Sequence, residues 1–114
     1  MGLKHCHFFS VCDGHGANGR EVSGLLKHRL PFHVENQMKK NLGSHDFNKD
    51  YPQSSLVFQS LKEAFNIAQE EVCGMSHDTR YSGSTCVSVI TLGRKLFMAN
   101  VGDSRGIIIK AINN

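Results

Sequence analysis

Phe8-Phe9-Ser10-Val11-Cys12-Asp13-Gly14-His15-Gly16 begins as a strand and breaks off as a turn. Its aromatic and β-branched residues suit a pleated, half-buried surface, and the glycines on both sides of His15 let the backbone bend sharply just after it. Asp13 is thereby presented at the stiff end of a strand, with the Gly14 carbonyl and the His15 ring unobstructed beside it. Hard cations such as Mg2+ and Mn2+ take oxygen ligands, so a carboxylate next to an exposed carbonyl suits half of a metal site. Taken alone, Asp-Gly also reads simply as a turn.

Working outward, Val22, Leu25, Leu26 and Leu30 recur at helical spacing after Asn18, and Pro31 is expected to interrupt that helix. A second helical piece is expected from Phe32 to about Leu42, with Gly43 as its C-terminal cap. Ser44 to Ser55 is polar and reads as a surface connection. Leu56, Phe58, Leu61, Phe65, Ala68 and Val72 then form a long amphipathic stripe that closes near Gly74. After the polar loop from Met75 to Ser82 the period changes to two. Ser84 to Thr91 and Leu96 to Val101 flank Leu92-Gly93-Arg94-Lys95 and read as an antiparallel hairpin. Gly102-Asp103-Ser104-Arg105-Gly106 follows as a turn, and Ile107 to Ile112 reads as another strand.

A chain of 114 residues is one domain's worth, expected to bury about 65% of the surface its unfolded form exposes. Hydrophobic content of 39% and charged content of 20% are those of an ordinary globule rather than a disordered chain. The formal charge of +3 comes from scattered basic residues, which gives no case for a nucleic-acid partner. No run approaches the eighteen or so apolar residues of a membrane span, so no membrane partner is expected. Gly2 stands where N-myristoylation needs it, but Cys6 occupies the place of the Ser or Thr of that motif. No signal-like segment is present, so Cys6, Cys12, Cys73 and Cys86 are read as reduced thiols of an intracellular protein, cytoplasmic or nuclear. A zinc module built from His5, Cys6, His7, Cys12 and His15 is the competing chemistry for these residues. Strand alternation sends His5 and His7 to the face opposite Cys6, and the paired spacings of structural zinc sites are missing.

Gly102-Asp103-Ser104-Arg105 repeats the pattern of the first motif, a carboxylate in a glycine-bounded turn directly after an apolar strand. Two strand-end aspartates of this kind can converge on one edge of a sheet. Phe8 to Gly16 resembles the signature of the metal-dependent serine/threonine protein phosphatases of type 2C, in which an aromatic strand leads into Asp-Gly-His-Gly. Tyr81-Ser82-Gly83-Ser84-Thr85-Cys86 and Ala99-Asn100-Val101-Gly102-Asp103-Ser104-Arg105 resemble two further signatures of that family, in the same order. The resemblance implies an α+β fold, here a partial antiparallel β-sandwich flanked by helices, with residues 1–114 as the N-terminal part of a catalytic domain. It further implies two or more Mg2+ or Mn2+ ions in the complete domain, activating a water that attacks the phosphorus of a phosphoserine or phosphothreonine in a phosphoprotein substrate. Asp13 would then bridge two metals, Gly14 would offer its carbonyl to one of them, and Asp103 would contribute to an additional, weaker site. His15 would be the general acid that protonates the leaving oxygen, a role suited to imidazole. Ser84 and Thr85 are expected to support the hairpin rather than touch substrate.

The family's phosphate-gripping arginine and one acidic ligand precede its first signature, and further aspartates follow the Gly-Asp-Ser-Arg turn. The chain is therefore expected to be truncated relative to the full fold. Two dications carry four positive charges, and the matched positions offer one bridging carboxylate and one peripheral one. The isolated chain is expected to bind metal weakly and to be inactive. The alternative within the same fold is a pseudophosphatase or regulatory binding fragment without catalysis. Few strands also leave unpaired edges and a poorly covered face, so self-association, with strand exchange as one route, is expected.

Overall fold

A computed structural model describes residues 3–43, 46–49 and 51–113. Met1 and Gly2, on which the myristoylation reading falls, lie outside the described residues, as do Ser44, His45 and Asp50 of the polar connection. Along the chain run β1 (Cys6–Val11), β2 (Gly14–His15), α1 (Gly19–Leu42), α2 (Ser54–Gly74), β3 (Gly83–Ser84), β4 (Cys86–Leu92) and β5 (Lys95–Val101). The class is α+β. A three-stranded antiparallel sheet has the order β1-β4-β5, and β2 pairs with β3 beyond its end.

Alternation along the strands does what the sequence pattern requires. Cys86, Ser88, Ile90 and Leu92 of β4 are buried while Val87, Val89 and Thr91 are only half-buried. On β1 the outward positions His7, Phe9 and Val11 are exposed, and Cys6 and Phe8 pack against the core. The helices complete one core with this inner face, in which Val22, Leu30, Met38, Val57, Leu61 and Ala68 join Ile90, Leu92 and Phe97. Phe58 meets Phe97 edge to face at 5.5 Å.

Three expectations are corrected. Pro31 does not end a helix; it sits inside a single helix of 24 residues. A proline in a helix interior costs about 3 kcal/mol, but Val22, Leu26, Leu30, Val34, Met38 and Leu42 form one buried stripe through it. Burying each such side chain contributes about 1.5–3 kcal/mol, so the packing outweighs the lost bond. The carbonyl that loses its donor belongs to Lys27, an exposed residue. On α2 the buried face is Val57, Ser60, Leu61, Ala64, Ala68 and Val72, whereas Phe58 is exposed and Leu56 and Phe65 are half-buried. Small Ala64 and Ala68 let α1 approach, so the packed face is marked by size rather than by bulk. Ile107 to Ile112 forms no strand, and Ile107, Ile108, Ile109 and Ile112 are exposed. A β-branched run becomes a strand only where a neighbour takes its backbone groups, and this segment has left the sheet edge at Gly102. Within the polar connection Phe47 and Pro52 are buried, so that loop also contributes to packing. Among the described residues no helix is long and apolar enough to cross a membrane.

Candidate functional site

The two motif turns leave the sheet at the same end. β1 and β5 both run antiparallel to β4, with Val11 opposite Val87 and Val101 opposite Cys86. Beyond those pairs the ladder reaches Thr85. Its N–H donates to the Asp13 carbonyl at 3.0 Å, while its hydroxyl oxygen accepts the Asp13 N–H at 3.1 Å. The same hydroxyl lies 2.7 Å from that of Ser104. On the other side Gly102, at φ 100°, approaches so closely that a Cβ there would stand 2.8 Å from Thr85 Cγ2. Buried Thr85 therefore clamps the Asp13 turn to the Asp103 turn across the central strand. Two strand spacings put the turns on the order of 10 Å apart.

Asp13, His15 and Asp103 are all exposed, and among the described residues neither carboxylate has a side-chain hydrogen bond. Gly14 faces Ser84 and His15 faces Gly83 in the short β2–β3 ladder. Since Asp13 and Thr85 are bonded to each other, the alternation of an antiparallel pair makes Gly14 and Ser84 a non-hydrogen-bonded pair. The Gly14 carbonyl thus points away from β3, and among the described residues no backbone N–H outside the ladders donates to it. A side chain at Gly14 is excluded by the first turn of α1, because a Cβ would lie 2.2 Å from the Gly19 carbonyl oxygen. The His15 ring rests on Gly83, whose absent Cβ would come within 3.0 Å of Nε2. His15 also borders a cavity of about 220 Å³ whose apolar wall is Val22, Leu26, Leu30, Phe65 and Val72.

The loop before β3 is tied to the start of α1. Ser82 Oγ accepts the Asn18 N–H at 2.9 Å, and Asn18 Nδ2 donates to the Asp78 carbonyl at 2.8 Å. The N-cap residue Asn18 makes no side-chain capping bond, and Ser82 supplies from a distance the acceptor for its backbone N–H, the part played in a capping box by the N3 side chain. The first and second motifs are joined through this contact as well as through the ladder.

The donor chemistry fits a hard cation in part. One carboxylate and one carbonyl meet at the strand end, oxygen donors of the kind Mg2+ and Mn2+ require. Among the described residues, however, no group of three or more His, Cys, Asp or Glu side chains is gathered to hold a metal ion. The zinc arrangement has no geometry either. Cys6 and Cys12 pack against the core, His7 lies on the opposite face against Phe9, and His5 is off the strand beside Asp46 at 3.6 Å.

Sequence reasoning singled out Asp13, Gly14, His15 and Asp103 as candidates and gave Thr85 too small a part. Its position opposite Asp13 follows from strand register, which no local pattern displays. It also missed a charged cluster between the helices. Arg29 donates twice to Glu71, both at 2.9 Å, and buried His33 meets the same carboxylate at 2.7 Å. The Arg29 hydrogen bonds, and then His33, hold the Glu71 carboxyl down at about 2, against the opposing effect of burial.

Residues 2–114 match the sequence model of the family described as protein phosphatase 2C. The chain is similar to the probable protein phosphatase 2C 35 of Arabidopsis thaliana, 35% identical over 108 residues, which make up 95% of this chain and 27% of the relative. It is 34% identical over 107 residues to the probable protein phosphatase 2C 72 of the same plant, covering 94% and 32%. To protein phosphatase 1L of Bos taurus it is 32% identical over 106 residues, covering 91% and 27%. The chain thus spans about a third or less of the length of these curated relatives.

Proposed function

We propose a function from a plain premise: the chain belongs to the protein phosphatase 2C family. Residues 1–114 form the N-terminal part of a catalytic domain, and the whole protein hydrolyses phosphoserine and phosphothreonine in phosphoprotein substrates. The observation that carries this reading is the Thr85 clamp, which ties both carboxylate-bearing turns to one end of the sheet.

In this reading the Asp13 carboxylate and the Gly14 carbonyl hold Mg2+ or Mn2+, and Asp103 serves an additional, weaker site. Such cations, when bound, supply activation of the attacking water and neutralise the phosphoryl oxygens. An imidazole N–H of His15 donates the proton that the departing serine or threonine oxygen takes up. Gly83 gives that ring its seat, and Thr85 fixes the backbone from which Asp13 projects. The remaining ligands come from segments of the whole protein other than these, so the isolated chain binds metal weakly and does not turn over.

The test is hydrolysis of p-nitrophenyl phosphate and of a phosphothreonine peptide in millimolar manganese. A longer protein containing these residues turns both over and stops when the metal is chelated, whereas the chain alone stays at background. Turnover by the chain alone would overturn its assigned inactivity. An inert longer protein would overturn the phosphatase reading itself.

A further inference from the structure

Two of the four free thiols face each other one step behind the Asp13 turn. The register that pairs Val11 with Val87 is the one that pairs Gly14 with Ser84, so the ladder keeps step through the interruption between them. Carried through, it sets Cys12 opposite Cys86. The hydrogen-bonded positions of this ladder are fixed at both ends, by Gly93 N–H to the His5 carbonyl and by Thr85 N–H to the Asp13 carbonyl, each 3.0 Å. Cys12 and Cys86 therefore occupy a non-hydrogen-bonded pair, where Cα atoms come to about 4.5 Å and side chains are at their closest. Disulfides need Cα separations of about 4.4–6.8 Å. Both thiols also point to the same face: Cys86 is buried in the core and Cys12 packs against it half-buried.

We propose that Cys12 and Cys86 are a redox-modification site, converted by a small-molecule disulfide of the glutathione class into a cross-strand disulfide directly behind Asp13 and Thr85. Cys12 is the entry point because Cys86 is covered. Its sulfur attacks glutathione disulfide, forming a mixed disulfide and releasing one glutathione. The Cys86 sulfur then attacks the Cys12 sulfur of that mixed disulfide and releases the second glutathione. The two thiol protons leave with the two glutathione sulfurs, so two protein thiols are oxidised and one disulfide is reduced. Cys73, exposed at the end of α2, and Cys6, at the far end of β1, have no opposed thiol and can only carry glutathione. This site does not depend on the functional reading above.

The experiment treats the purified chain with glutathione disulfide, quenches in acid, alkylates in denaturant and maps peptides. It is run on the parent chain and on a Cys6→Ser, Cys73→Ser variant, in which each cysteine-bearing tryptic peptide keeps one thiol. The expected result is a loss of two hydrogens in the variant's intact mass and a joined pair of peptides carrying Cys12 and Cys86. In the parent, alkylation is blocked at the same two positions, and oxidation of the chain unfolded in urea gives a mixture of linkages. Full alkylation of Cys12 and Cys86 after treatment of the folded chain would overturn the proposal. So would linkage to Cys6 or Cys73 as the main product, or a Cys12 to Cys86 link that forms no better folded than unfolded.

Discussion

Thr85 Oγ1 takes the place that a backbone carbonyl normally holds in an antiparallel pair, accepting the Asp13 N–H while it also meets Ser104. Replacing it with valine keeps the shape and removes both bonds. Asp13 is exposed and the bond only part-buried, so its loss costs what an ordinary hydrogen bond contributes, about 0.5–1.5 kcal/mol; Thr85→Val should lower the urea midpoint of the chain accordingly, and Thr85→Ser should recover most of it. Equal midpoints for the valine variant and the parent would show that the clamp contributes nothing. Gly83 permits a sharper test of His15. In Gly83→Ala the new Cβ would stand 3.0 Å from Nε2, so the ring must shift. In a longer, active protein that shift should reduce turnover on the order of tenfold with little change in stability, which paired rate and denaturation measurements would check. The turn that carries Asp13 and His15 was legible because glycines beside them announce it in the sequence itself. Thr85, Ser82 and the cysteine pair were not, since each acts on a residue more than sixty positions away.

The helices show where local rules give way to packing. Pro31 argues for a break, yet the four-residue spacing of Val22, Leu26, Leu30, Val34, Met38 and Leu42 continues through it, and the summed burial exceeds the cost of one proline. The reading of Ile107 to Ile112 failed in the opposite direction: its β-branched composition favours extension, but a strand is a pairing, and composition does not say whether a partner is present. Between α1 and α2 the Arg29, His33 and Glu71 cluster couples helix pairing to acidity. The Glu71 carboxyl is held at about 2, below its ordinary 4.5. A carboxyl with a lowered value stabilises the fold above its unfolded value and loses that contribution as pH falls towards its folded one. Stability should therefore decline from about pH 4.5 to about pH 2 in the parent. Glu71→Gln should be less stable at neutral pH and show a flatter decline across that window. Urea titrations at stepped pH would measure both slopes, and identical slopes would show that the cluster is not coupled to folding.

At the scale of the whole molecule, helices cover one sheet face, and among the described residues nothing comparable covers the other. Phe9 at 62% and Val11 at 66% exposure stand on the open face, and Ile109 at 85% marks the isoleucine run beyond it. Such an apolar surface is costly to leave in water, and among the described residues no strand pairs with the outer edge of β1 or β5. We propose that the chain self-associates through these elements. Light scattering should show a mass that climbs with concentration, and a constant mass of one chain up to millimolar concentration would contradict it. The central proposal is chemical: that Asp13, presented by the end of β1, serves as a ligand to the cations that drive phosphate hydrolysis. Its most direct test compares Asp13→Asn with the parent in a longer protein that contains these residues, using a phosphothreonine peptide in saturating manganese and confirming equal stability. Turnover should fall by at least about 100-fold, and an Asp13→Asn variant that hydrolyses the peptide at the parent's rate would contradict the account.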